Sequence, residues 1–145
     1  PHLMFVLDTN VVSELRKAGD GRADPNVVAW LATYEAAAFF LSAITIMELE
    51  IGVRRVERSD QWQGKLLRAW MDDRVLPEFD GRILPIDSAV ALQCARLHVP
   101  DPRSERDALI AATARVHGMT VVTRNVADFR DTGVSLVDPW NTAPG

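Results

Sequence analysis

The chain has 145 residues, of which 48% are apolar and 25% charged, and its formal net charge is -4; this is the size and composition of one globular domain with a single real core. The acidic balance excludes a molecule-wide cationic surface for nucleic acid, so any such contact needs a local basic patch or a bound cation that offsets the acids. The lone cysteine, Cys94, excludes an internal disulfide and a cysteine-based zinc site, which suits a reducing cytoplasm.

The elements follow in chain order. Pro1-His2-Leu3 ahead of Met4 reads as a cloning remnant, 4–140 as a single domain and 141–145 as a C-terminal tail. No basic-then-apolar leader opens the sequence, so a cytoplasmic protein without a signal peptide is expected. Phe5-Val6-Leu7 is an apolar strand, and helical spacing of Val11, Val12 and Leu15 follows, stopped at Gly19. Asp24-Pro25 starts a helix, an N-cap followed by proline in the first turn. The longest uncharged run, Ala36 to Met47, contains the strand Phe39–Ser42; it falls short of the roughly 20 apolar residues that span a bilayer. Thr45 is expected to cap the next helix, which carries Ile46, Leu49, Val53 and Val56.

Ser59-Asp60 opens a helix with Trp62, Leu66, Leu67 and Trp70 on one side. Ile83–Ile86 is a short strand that Pro85 marks as an edge. Asp87 or Ser88 caps a helix with Val90, Leu92, Ala95 and Leu97, and Asp101 to Ser104 is a loop. A further helix runs from about Glu105 to His117 and ends at Gly118. Thr120–Thr123 is a strand, Asn125 caps a short helical turn, Asp131 to Gly133 is a turn, and Val134–Val137 is a last strand. Continuously apolar strands alternating with helices argue for an α/β sandwich, a mostly parallel twisted sheet of four to five strands flanked by helices. Trp30, Trp62 and Trp70 are assigned to core or interface, and Trp140 to a sheet edge.

Four acids stand out by placement. Asp8 directly follows the first strand, Glu48 is expected in the first turn after the second strand, Asp107 lies in the first turn after the long loop, and Asp128 follows "VVTRN". In a parallel sheet all four fall near the rim formed by the carboxyl ends of the strands, where ligands bind in α/β folds. Crowded carboxylates repel one another, and a divalent cation relieves the repulsion. Oxygen ligands without His or Cys select Mg²⁺ or Mn²⁺ over zinc, and such an ion suits a phosphodiester. Each acid also has a structural explanation. Asp8 could be only a helix cap, Glu48 and Asp107 could gain about 0.3–1 kcal/mol from a helix dipole, and Asp128 could be solvated. Arg103, Arg106 and Arg124 flank this region and could hold phosphate or lie free on the surface.

The stretches "VLDTNVVSEL", "SAITIMELEIGV", "RDALIAATARVHGMTVVTRNVADF" and "GVSLVDPW" resemble the PIN-domain family, and within it the VapC and FitB toxins of type II toxin–antitoxin pairs. The resemblance covers Met4 to Trp140 and is weakest over Gly19–Ala32 and Arg58–Arg82. It implies a PIN-like three-layer sandwich and a Mg²⁺-dependent endoribonuclease, with Mn²⁺ as a substitute. It places the family's four metal-binding acids on Asp8, Glu48, Asp107 and Asp128, its supporting hydroxyl on Thr123 and its asparagine on Asn10. It also implies a homodimer that cleaves RNA and is silenced by a small antitoxin with a DNA-binding segment, so that DNA is met only through the antitoxin.

Two rival classes remain open at this stage. One is a non-catalytic co-repressor subunit acting through a DNA-binding antitoxin. The other is an Asp-nucleophile phosphatase or a receiver domain. Against the phosphatase, Asn10 stands where a second Asp is needed; against the receiver, no lysine follows a late strand.

Overall fold

β1 (Phe5–Leu7) sits at the centre of a five-stranded sheet, flanked by β2 (Phe39–Ser42) and β4 (Thr120–Val122), with β3 (Ile83–Leu84) and β5 (Leu136–Val137) at the edges. The order is β3-β2-β1-β4-β5, and every pairing is parallel. The protein is described by a computed structural model covering residues 3–142. Pro1, His2 and 143–145, which hold most of the expected remnant and tail, lie outside the described residues.

Side chains alternate across a strand, and here both faces are covered. Phe5 and Leu7 of β1 and Val122 of β4 enter one core, while Val6 and Val121 enter the other. The first core is closed by α1 (Thr9–Ala18), α2 (Pro25–Ala32), α3 (Ala43–Ser59) and α4 (Gln61–Trp70). Val11 and Val12, Leu49 and Val53, and an aromatic cluster of Phe5, Trp30, Tyr34 and Phe39 fill it. The second core is closed by α6 (Ser88–Leu97) and α7 (Glu105–His117), where Ala108, Ala111, Ala112 and Ala114 let α7 press close to the sheet. The result is the expected three-layer α/β sandwich.

Local chemistry sets most boundaries. Asp24 caps α2 by accepting from Asn26 N, with Pro25 in the first turn; Asp60 and Asp87 accept from Gln63 N and Val90 N to cap α4 and α6. Gly118 ends α7 at φ 65, the left-handed conformation that glycine adopts without a Cβ clash.

Three sequence expectations are corrected. α3 starts at Ala43 and is capped by Ser42, whose Oγ accepts from Ile44 N at 3.0 Å, so Thr45 is no cap and Glu48 lies in the second turn. Trp62 is not in the core: it is 68% exposed, and Leu66 is exposed beside it, whereas Trp30 and Trp70 pack against the first core. The last strand is only Leu136–Val137, shorter than Val134–Val137. In addition, α4 runs on through a π-helical turn, Met71–Val75, into the short α5 (Leu76–Glu78). Pro77 has no N–H to give the carbonyl four residues back, so a regular α ladder cannot pass through it.

α4 passes tightly against α3 at Gly64, where an added Cβ would lie 2.5 Å from Glu57 Cα. Gly64→Ala is therefore expected to lose about 1–3 kcal/mol through overpacking, outweighing the ~1 kcal/mol that alanine normally gains in a helix. Gly52, with open space around its Cα, shows the opposite sign: Gly52→Ala gains up to about 1 kcal/mol. Urea unfolding of the two variants checks both signs.

Candidate functional site

The register of the central strands builds the site. Leu7 pairs with Val122 in parallel, so the next residues, Asp8 and Thr123, emerge side by side at the carboxyl end of the sheet. Asp8 N donates to Val122 O at 2.9 Å, and Thr123 N donates to Val137 O at 2.9 Å, which extends the ladder to this rim. Thr123 Oγ1, fully buried, donates to Asp8 Oδ2 at 2.8 Å. Asn10 Nδ2 donates to the same oxygen at 3.2 Å, and Asp8 Oδ1 accepts from Thr9 N at 2.8 Å as the cap of α1. Both carboxylate oxygens are thereby held, and the side chain is locked. Asp8 is thus a helix cap as well, but a cap only 6% exposed, which a purely capping carboxylate has no reason to be.

Glu48 reaches the same rim from α3. Its Oε1 accepts from Thr9 Oγ1 at 2.7 Å, and Thr9 Oγ1 lies 3.3 Å from the buried Thr45 Oγ1. Lying in the second turn, Glu48 gains little from the dipole of α3, so that structural explanation falls away. Asp107 lies half-buried in the first turn of α7. Asp128 is exposed on the 3-10 turn Val126–Phe129. Asn125 makes no side-chain cap there; its N donates instead to Thr123 Oγ1 at 3.0 Å.

Electrostatics tie the four acids together. Burial pushes the Asp8 carboxyl above the ordinary carboxylate range; the Thr123 and Thr9 hydrogen bonds oppose this, and the charges of Asp107 and Glu48 add to it. Asp107 is also raised, first by burial, then by the charge of Asp128, with Ser104 opposing and Glu48 adding. Among the described residues no ion pair reaches Asp8, Asp107 or Asp128, and Glu48 has only Arg106 Nη1 at 3.7 Å. The rim is therefore a group of carboxylates left almost without counter-charge.

Whether these residues fit a divalent ion depends on donors and spacing. The donors are hard oxygens only, which suits Mg²⁺ or Mn²⁺. In the conformation described, no three His, Cys, Asp or Glu side chains among the described residues close on one point as a ready-made cage. Mg²⁺ keeps several of its waters and is commonly held by one or two carboxylates, so an open acidic rim fits it better than a tight cage would. Thr9 and Thr45 were missed from the sequence. The only signal for Thr9 is its place next to Asp8 in the "LDTN" stretch.

A parallel three-layer sandwich with an acidic rim at the strand ends is the architecture of a PIN domain. The family model for the PIN domain matches residues 5–134, and the chain belongs to that family. It is 37% identical to the VapC ribonuclease Y4jK of Sinorhizobium fredii, over 97% of this chain and 100% of that protein. It is likewise 37% identical to the toxin FitB of Neisseria gonorrhoeae, over 95% of this chain and 99% of the relative. Among solved structures it resembles FitAcB from Neisseria gonorrhoeae, with a TM-score of 0.86 at 35% identity over 96% of this chain and 100% of the other. It also resembles FitAB bound to an IR36 DNA fragment, with a TM-score of 0.85 at 35% identity over 97% of this chain and 98% of the other. No helix among the described residues is long and apolar enough to cross a membrane.

The raised carboxyls make a stability prediction for metal-free protein. An acid whose folded pKa is raised binds its proton more tightly when folded. Its contribution is fully present below the ordinary value of 3.8 and is lost as pH rises. Asp107→Asn removes one such charge. In EDTA the variant is expected to melt close to wild type near pH 4 and above it at pH 7–8. Equal melting temperatures at both ends would contradict the crowding of charge at this rim.

Proposed function

We propose that this chain is a metal-dependent endoribonuclease toxin that hydrolyses RNA phosphodiester bonds with Mg²⁺, or Mn²⁺ in its place. The observation that carries the reading is that Asp8, Glu48 and Asp107 feel one another's charge at one rim, with Asp128 acting on Asp107 and only Arg106, 3.7 Å from Glu48, as counter-charge. The names of the relatives, a VapC ribonuclease and the toxin FitB, support the same activity. A bound ion would offset the charge of the phosphodiester and lower the pKa of water.

The chain's own residues divide the work. Asp8 and Asp107 would hold the ion most directly, while Glu48 and Asp128 would complete its surroundings or hold a second ion. Thr123 Oγ1 and Asn10 Nδ2 orient Asp8 through Oδ2, and Thr9 Oγ1 fixes Glu48 through Oε1. This leaves little side-chain freedom to be lost when substrate binds. The protein works as a single domain over 4–140. In this reading it forms a homodimer, acts in the cytoplasm and is neutralised by a small antitoxin with a DNA-binding segment; the FitAB complex of a relative bound to DNA supports the antitoxin part of it. The DNA-bound FitAB structure favours a second, compatible role as the co-repressor partner of that antitoxin.

RNA cleavage by purified protein is expected with Mg²⁺ or Mn²⁺, lost in EDTA and restored by excess metal. Asp8→Asn and Asp107→Asn should abolish it; a variant with full activity removes that residue from the mechanism. Thr123→Val keeps the shape but removes the hydroxyl that orients Asp8. It is expected to cost about 10- to 100-fold in metal affinity or activity and about 1–3 kcal/mol of stability, because Asn125 N loses its acceptor. Wild-type protein that cleaves no RNA with either metal would leave only the co-repressor role.

A further inference from the structure

The two oxygens of Glu48 are held very differently. Oε1 accepts from Thr9 Oγ1 at 2.7 Å, while Oε2 faces Arg106 Nη1 at 3.7 Å. α3 brings Glu48 to this contact and the first turn of α7 brings Arg106, the residue directly before Asp107. Among the described residues Arg106 is the one cation within ion-pair distance of a rim acid, and it pairs with no other acid.

The pair is loose. At 3.7 Å it is too long for a hydrogen bond, and the Arg106 side chain is 51% exposed. Arg68 shows a closed pair in the same chain: its Nη1 and Nη2 donate to the two oxygens of Glu50 at 2.8 and 2.9 Å. A solvent-exposed pair of the Arg106 kind gains little, and salt weakens it further. Glu48 and Arg106 can therefore part at small cost. Arginine's planar fork matches two oxygens of a phosphate at once, which a carboxylate 3.7 Å away does not use.

We propose that Arg106 is a phosphate-binding residue held in reserve by Glu48: its guanidinium pairs with Oε2 in the metal-free chain and passes to the substrate phosphate once Glu48 turns that oxygen to a divalent ion. Reach supports the exchange. Mg²⁺ binds its oxygens at about 2.0–2.1 Å, so a phosphate oxygen sharing an ion with Glu48 would lie no more than about 4 Å from Oε2. Arg106 Nη1 already stands at that range. Two cations at one carboxylate oxygen repel, so Glu48 gives up the weaker one. Arg106 thus becomes available to a polyanion only when the rim is loaded, and it meets the charge that grows on the phosphate oxygens during cleavage. The phosphate role rests on the ribonuclease reading; the exchange at Glu48 rests on metal binding alone.

The test compares the full chain with Arg106→Gln and Arg106→Lys in two arms. In the first, Mn²⁺ is titrated without RNA and followed by electron paramagnetic resonance. Arg106→Gln should bind Mn²⁺ about two- to fivefold more tightly than wild type, because Glu48 loses its competing cation, and Arg106→Lys should stay near wild type. In the second, RNA is cleaved at saturating Mg²⁺. Arg106→Gln should lose about 10- to 100-fold in kcat/KM, and Arg106→Lys should recover part of that loss. Opposite signs in one variant mark the exchange, since a merely structural role would weaken both and lower the melting temperature. Mn²⁺ affinity that is unchanged or weaker in Arg106→Gln overturns the exchange, as does wild type that binds no Mn²⁺. Unchanged kcat/KM overturns the phosphate role. If wild type cleaves no RNA, the ribonuclease reading and the phosphate role fail together, while the Mn²⁺ arm still decides the exchange at Glu48.

Discussion

Thr123 Oγ1 meets Asp8 Oδ2 because β1 and β4 run side by side in the same direction, in a register that pairs Leu7 with Val122. Two residues 115 positions apart thereby share one hydrogen bond at the end of a buried strand. The same register carries the rest. On the other side β2 pairs with β1, and its last residue, Ser42, caps α3, whose second turn presents Glu48 to Thr9. A slip of one residue between β1 and β4 would turn every side chain of β1 to the opposite face. It would exchange Phe5 and Leu7 with Val6 between the two cores, so the packing that stabilises the sheet also fixes the acids.

Carboxylates only two residues apart meet opposite fates. Glu50 is gripped by Arg68 and Arg54, which hold its carboxyl down to about 2, and Arg68 also binds Glu57. That network is open to solvent at Arg54 and half-buried at Arg68 and Glu50, so screening keeps its net worth small. Glu48, on another side of the same helix, faces Thr9 and the acids of the rim. The chain supplies counter-charge where acids are structural and withholds it at the rim, where Asp8 and Asp107 are raised. A buried charge without a partner is costly, and a divalent cation bound at this rim would remove that cost.

Much of this was legible in the sequence, for identifiable reasons. β1, β2, α1 and α7 announced themselves through apolar runs, helical spacing, and the Gly19 and Gly118 stops. Asp8, Glu48, Asp107 and Asp128 stood out as candidates by their places after strands or in the first turns expected of helices. What escaped was set by contacts distant in the chain. Thr45 looks like a cap, but Ser42 does that work, and Thr45 is buried behind Thr9. Trp62 follows the period of α4 yet remains outside, because Gly64 draws that helix against Glu57 and sets its rotation. The π-helical turn at Met71–Val75 answers to Pro77 and to the burial of Met71 and Val75, which no local pattern reveals.

On the proposed reading, divalent metal binds at the rim that Asp8, Glu48, Asp107 and Asp128 share. Mn²⁺ titrated in substoichiometric amounts into isotopically labelled protein tests it directly, because paramagnetic broadening falls steeply with distance. A common centre predicts that the amide signals of Asp8, Glu48, Asp107 and Asp128 broaden together, ahead of those at Glu50, Glu57 and Asp72. Broadening confined to one of the four, or strongest along the exposed acids of α3 and α4, would contradict it.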